Sequence, residues 1–249
     1  MDVSTQPPVS SVTPTNSIRA NANAIPAAIW AVLDTLRVKG LEARVMAETE
    51  PCFTLNSSGP DFDLDIPRLC ALPLLTSMYM EELRLRAAAT VTRQAVTDNF
   101  VVEEWRFRRG TSVVAMPWSG GQHREFWERR GGVDVRRFWA ERFLEYPDPT
   151  GGPKDEKGGS VEDDRKARVV TAGIQSHYFP YGGGVKICPG RFFAKQEIMT
   201  AVAVLLRMCE VELVNLKRAE MIKGDMSRFP LGTLPMDGRV PFRIRRTGV

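Results

Sequence analysis

The chain has 249 residues, and its 34 Lys and Arg against 30 Asp and Glu leave a formal charge of only +4. Basic residues are spread rather than clustered, which argues against nucleic acid as a partner, and the length suffices for one large domain or two small ones. Four cysteines, at 52, 70, 188 and 209, show neither CxxC pairing nor zinc spacing, so nothing suggests a disulfide framework and a reduced, intracellular setting fits.

Residues 1–18 read as a disordered polar segment rich in Pro, Ser, Thr and Val, with no signal peptide and no run that would span a bilayer. From 20 to 38, Ile25, Ile29, Val32, Leu33 and Leu36 recur at helical spacing, with Gly40 as a stop. Pro26 has two readings: a helix extending upstream past it, with the Ala22 carbonyl freed beside Asn21 and Asn23, or a helix that begins there. Residues 41–50 continue helical until Pro51, and Ser57–Pro60 with Asp61, Asp63 and Asp65 read as a solvated loop, without the Gly and Glu of a calcium loop.

A strong helix starts at Pro73, with Glu81 and Arg84 three apart on one face. Residues 89–93 and 99–116 alternate as strands, with a turn at Arg108–Gly110. The run Trp118–Trp139 is aromatic and basic; its aromatics read as core and not as a stacking platform for nucleic acid. It holds His123, which lies far in sequence from His177, the one other histidine, and no carboxylate pattern makes a metal site of them. Residues 146–168, with paired glycines and a charged run, read as a flexible surface loop. After residue 190 a helix buries a stripe of Ile198, Ala201, Val202, Leu205, Met208 and Cys209, and Val211–Leu216 and Val240–Ile244 read as strands, with Asp237-Gly238 as a hairpin turn.

The most informative stretch is Tyr181-Gly-Gly-Gly-Val-Lys-Ile-Cys188-Pro-Gly190. A cysteine between a glycine-rich loop and a helix start faces free amide N–H groups and the positive end of the helix dipole, which favours thiolate. A thiolate there binds a soft metal or acts as a nucleophile. The glycines let the backbone approach a flat object, Tyr181 offers an aromatic edge and Lys186 a cation, a set that suits a haem. The stretch resembles the cysteine-ligand loop of the cytochromes P-450: an aromatic residue seven before Cys, Gly four before, a basic residue two before and Gly two after. Tyr181, Gly184, Lys186, Cys188 and Gly190 fill these places, with Tyr for the usual Phe and Lys for the commoner Arg.

The resemblance implies a mainly α fold with small β-sheets. Residues 19–249 would form the C-terminal half of a cytochrome P-450 domain: distal helix end, ExxR helix, meander, Cys-ligand loop, following helix and terminal β-hairpin. The closest family style is that of fungal secondary-metabolism members and of the sterol 7-alpha-hydroxylase and prostacyclin synthase branch. It implies haem b (iron protoporphyrin IX) with Cys188 as axial ligand, Arg93 at a propionate, and Glu81, Arg84 and Arg142 as a structural ion-pair triad holding the cysteine loop. Ala22 and Asn23 stand where the family's oxygen groove carries an acid and Thr, and an amide is a poor proton donor.

The function implied is monooxygenation of an apolar small molecule, with NADPH electrons delivered by cytochrome P-450 reductase, optionally with cytochrome b5. The docking side would carry Lys186 and Arg191, with Lys195 reading as solvated surface. A peroxide isomerase or dehydratase of the same fold, or a truncated non-catalytic remnant, are the alternatives. The family usually sits on the endoplasmic reticulum membrane, and no anchor is read in this chain.

Overall fold

The computed structural model describes residues 14–55, 62–147 and 160–247, and of residues 14–21 the backbone path only. In chain order the elements are α1 (Pro14–Arg37), α2 (Leu41–Thr49), β1 (Phe53–Leu55), β2 (Phe62–Leu64), α3 (Ile66–Leu69) and α4 (Pro73–Arg86). Next come β3 (Val91–Gln94), β4 (Phe100–Val102), β5 (Trp105–Phe107), β6 (Ser112–Ala115), α5 (Pro117–Gly121), α6 (Arg124–Glu128) and β7 (Leu144–Glu145). The chain closes with α7 (Val161–Lys166), β8 (Arg168–Val169), α8 (Arg191–Met208), β9 (Cys209–Leu213), α9 (Leu216–Met221) and β10 (Phe242–Arg246). All strand pairs are antiparallel two-stranded ribbons: β1–β2, β3–β6, β4–β5, β7–β8 and β9–β10. This is the mainly helical architecture with small sheets expected of a partial cytochrome P-450 fold.

The core lies where α1, α2, α4 and α8 meet, closed on one side by the aromatic cluster of Trp127, Phe143 and Tyr178. Of the two readings of Pro26, the helix that passes through it holds, since α1 starts at Pro14 and contains Pro26. That start also lies inside the segment expected to be disordered; residues 1–13 and the Asn21 side chain lie outside the described residues. The buried face of α1 differs from the apolar stripe expected. Ala24, Ala27, Trp30, Ala31 and Leu33 are buried, whereas Ile25 and Ile29 are 50% and 51% exposed. Small residues let α8 and α4 approach closely, and Trp30 fills the remaining space against Ala219 and Leu33. In α8 the buried stripe is Ile198, Met199, Val202, Ala203 and Leu206, so Ala201 is exposed and Leu205 and Met208 are half-buried. Cys209 is not on that helix at all but begins β9.

Three further corrections concern loops. The 160–168 part of the expected flexible loop is ordered into α7 and the start of β8, because Ser160 caps α7 and Asp164 is fully buried; residues 148–159 lie outside the described residues, as do 56–61. Asp63 lies in β2, paired with Thr54, and Asp65 caps α3 by accepting from Arg68 N, so these two aspartates belong to regular elements and not to a loop. Asp237-Gly238 does not turn a hairpin. Its aspartate exchanges bonds with Lys223, at 2.9 Å through its own N–H and 3.0 Å through Oδ1, and β10 returns to β9 across a long excursion that includes α9.

Buried charge ties these elements together. Asp34 of α1 pairs with Arg86 at the end of α4 (2.6 Å) and with Arg37, and Arg86 also lies 4.3 Å above the Trp30 ring. Arg86 reaches Glu82 at 3.1 Å without hydrogen-bond alignment. Burial, with Asp34 adding to it against the opposing Arg86, raises the Glu82 carboxyl well above the usual carboxylate range.

Candidate functional site

The helix that supports the site is α4. Pro73 occupies its first position, where the missing N–H costs nothing. The next two amides, Leu74 N and Leu75 N, donate to the Glu48 carboxylate of α2 at 2.8 and 2.9 Å, so a side chain from a neighbouring helix satisfies the orphan donors. Burial drives the Glu48 pKa from 4.5 up to about 7, although these two amides oppose the rise.

One turn before the end of α4, Glu81 receives Arg84 through Nε (2.7 Å) and Nη2 (2.8 Å), a bidentate pair. Arg142 brings its Nε to the same carboxylate at 3.0 and 3.1 Å, and Trp139 N donates at 3.2 Å. The three expected triad members therefore meet, and all three side chains are fully buried. Burial alone would raise the Glu81 pKa, but Arg84 and Arg142 outweigh it and hold the carboxyl below its ordinary value.

The triad's outward bonds go to the meander. Arg84 donates to Gly121 O (2.5 Å), and Arg142 donates to the carbonyls of Trp127, Asp134 and Arg137 at 3.2 Å each. From the triad, expected to hold the cysteine loop, the path to that loop is indirect. Trp127 and Phe143, held by this framework, pack against Tyr178, which leads directly into the loop. A second tie is Tyr79 of α4, whose hydroxyl lies 2.6 Å from that of Tyr181.

The loop is built by its glycines. Gly182 and Gly184 sit at φ +74° and +63°, which a side chain resists, and at Gly183 and Gly184 the space a Cβ would take is open. A Gly184–Lys186 3₁₀ turn carries the chain to Ile187, whose N–H returns to Gly184 O (3.1 Å), and Cys188 N donates to Tyr181 O (3.0 Å). Arg191, the first residue of α8, donates to Cys188 O from both its backbone and its side chain, at 3.4 and 3.1 Å. Cys188 is thus pinned on both backbone groups while the residue remains exposed. Nearby in the sequence, Val185, Phe192 and Phe193 are 99%, 66% and 59% exposed. Gly190 lies close enough that a Cβ there would stand 3.9 Å from Sγ.

Arg93 of β3 comes to this loop: its Nη2 donates to Gly183 O at 2.7 Å and its Nη1 to Thr92 O at 2.9 Å, with the residue exposed. Lys186 is exposed as well. Lys195 does not belong to a solvated face, since it is half-buried and its Nζ donates to Cys70 O at 2.7 Å. Asn23 is away from the loop, on α1, where its Oδ1 accepts Thr233 N at 2.9 Å.

Sequence reasoning missed a second buried ion cluster. Arg44 of α2 binds Asp164 of α7 at 2.8 and 2.7 Å and also pairs with Glu141, and the Tyr146 hydroxyl donates to Asp164 at 3.0 Å. Although burial opposes its charge, the two carboxylates raise the Arg44 pKa above its ordinary value. Nothing periodic marks these positions. The adjacency of Glu141 to Arg142 was the one available signal. The two histidines, distant in sequence, also meet: their ring centroids lie 4.8 Å apart and His177 stacks on Phe126 at 4.0 Å. Among the described residues no group of three or more potential metal ligands forms.

Comparison with known proteins gives the same direction. The family model for cytochrome P-450 matches residues 29–237. The cytochrome P-450 monooxygenase efuG of Hormonema carpetanum is 37% identical over 235 residues, covering 91% of this chain and 41% of its own. Cytochrome P-450 7A1 of Sus scrofa is 29% identical, over 91% of this chain and 43% of its own. Prostacyclin synthase of Homo sapiens is 28% identical, over 88% of this chain and 42% of its own. The chain spans about two fifths of the length of the relatives it matches.

Proposed function

Because the chain belongs to the cytochrome P-450 family, we propose that it is part of a haem-thiolate monooxygenase acting on an apolar small molecule in secondary metabolism. Supporting the last clause is its likeness to fungal cytochrome P-450 monooxygenases. The observation that carries the reading is the Cys188 loop. An exposed cysteine is held by both its backbone groups at the head of an eighteen-residue helix, beside glycines with open space above them. These residues fit a haem: the Cys188 thiolate would hold its iron, the open space at Gly183 and Gly184 would admit the ring, and Arg93 and Lys186 would supply positive charge for its carboxylates. Bound there, a thiolate-ligated haem supplies dioxygen activation and oxygen insertion.

The chain's own residues do the holding. Arg93 and Tyr181 fasten the loop to β3 and α4, and the Glu81–Arg84–Arg142 triad fixes the meander behind it. Lys186 and Arg191 give the cysteine side a positive rim for a reductase carrying NADPH electrons, with cytochrome b5 as a second donor. Among the described residues no helix is long and apolar enough to cross a membrane.

A peroxide isomerase or dehydratase is the second reading, favoured by Ala22 and Asn23 in place of an acid–Thr pair and by the likeness to prostacyclin synthase. Activity that survives omission of NADPH and reductase supports it. The primary test is the absorption spectrum of the purified chain with haem added, reduced, with and without carbon monoxide. A strongly red-shifted Soret band that Cys188→Ala removes supports thiolate ligation. No band, or an equal band in the variant, sinks it and favours a non-catalytic remnant.

A further inference from the structure

Asn23 is exposed on α1, yet its amide carbonyl is engaged: Oδ1 accepts the backbone N–H of Thr233 at 2.9 Å. The approach is possible because the preceding residue is glycine. Gly232 sits at φ +140°, and a Cβ there would lie 2.1 Å from Asn23 Oδ1.

The opposite edge of this segment is already occupied. Gly232 O accepts Ala88 N and Leu234 N donates to Arg86 O, both at 2.9 Å, and Thr233 bridges Ala87. In an antiparallel pairing the groups of the residue between two bonded ones point to the other side. The N–H of Thr233 therefore faces α1 and meets Asn23. Two helical turns further along α1, on the same face, Trp30 Nε1 donates to Leu234 O at 2.8 Å. Phe229, at the head of the segment, packs edge-on to Trp118 with centroids 5.7 Å apart.

We propose that Asn23 is a positioning residue that, with Trp30, latches the Phe229–Leu234 segment onto α1, its side-chain carbonyl acting on Thr233 N–H. The latch couples α1 to this segment, which would line the substrate pocket on the haem-thiolate reading, so that a change at Asn23 moves the pocket wall. That consequence for specificity rests on the haem-thiolate reading above; the latch itself does not.

The roles are separable because a latch needs only an acceptor, whereas a donor role toward oxygen needs the Asn NH₂. Asn23→Asp keeps the acceptor and loses the NH₂; Asn23→Ala loses both. Gly232→Ala attacks the same contact from the other side. The experiment is native-state hydrogen exchange by mass spectrometry on the full chain, read over peptides spanning 227–236, with α4 and α8 peptides as controls. Exchange at Thr233 is expected to rise about tenfold or more in Asn23→Ala and Gly232→Ala, and to stay within about threefold of wild type in Asn23→Asp, with α4 and α8 unchanged. Unchanged protection in Asn23→Ala overturns the proposal. So does equal loss in Asn23→Asp, or a loss spread equally over α4. Exchange needs no haem, so a protected segment in a chain that gives no thiolate spectrum leaves the latch standing and removes only the haem reading.

Discussion

Arg142 reaches the Glu81 carboxylate at 3.0 Å from sixty-one residues further along the chain, and neither side chain has any solvent exposure. Such a pair is not a surface ornament. Burying two charges is costly, so the arrangement persists only because Arg84 and four backbone carbonyls complete the hydrogen bonding.

Removing one partner leaves the other charged and dry. Arg142→Met is expected to destabilise the chain by about 3–5 kcal/mol, read as a lowered denaturant midpoint. A shift under about 1 kcal/mol would show that the triad is not a structural linchpin.

The same carboxylate sets an acid limit. The Glu81 pKa is lowered in the folded state, so its contribution is present above the unfolded carboxylate value and is lost as pH falls through the folded one. Stability curves below about pH 4 should therefore fall more steeply for wild type than for Glu81→Gln, which begins from a lower level.

Glu48 behaves oppositely. Its folded pKa is raised from 4.5 to about 7, so between those values the folded state holds the extra proton and stability declines as pH rises. The full decline is on the order of 3 kcal/mol. Subtracting the Glu48→Gln curve from wild type should isolate this slope between about pH 5 and 7; parallel curves would remove the assignment.

Tyr79 and Tyr181 share one hydrogen bond of 2.6 Å, and burial raises the Tyr79 pKa above its ordinary value. Tyr181→Phe leaves the Tyr79 hydroxyl without its partner and should cost about 1–3 kcal/mol. Tyr79→Phe with Tyr181→Phe should recover part of it, a coupling that thermal unfolding of the four-member cycle measures.

Arg44 neutralises Asp164 and Glu141, and Asp164 has no solvent exposure. Arg44→Met is expected to cost about 3–5 kcal/mol and to raise proteolytic cleavage near α7, because its anchor to α2 is lost. Unaltered cleavage would mean that α7 is held by other contacts.

The signals legible in the sequence were the short-range ones. Helical spacing marked α4, and the Glu81–Arg84 pair follows from a three-residue interval on one helix. The ten residues Tyr181–Gly190 carried the family because their glycines, basic residue and cysteine act on one another within a single loop. The core face of α1 was misread for the opposite reason: spacing finds an apolar stripe, but which stripe is buried depends on the partner helices, and here small residues and Trp30 face them while Ile25 and Ile29 do not.

By itself, then, the sequence determined the helices α1, α2, α4 and α8, the loop around Cys188 and the family, since each is encoded by neighbours along the chain. Only the tertiary structure decided that Arg142 locks the meander, that Arg44 turns part of an apparent loop into α7, that His123 and His177 meet, and that Asn23 spends its carbonyl on Thr233. These contacts join residues 15 to 210 positions apart. Their geometry comes from how the core packs, and no local pattern along the chain records it.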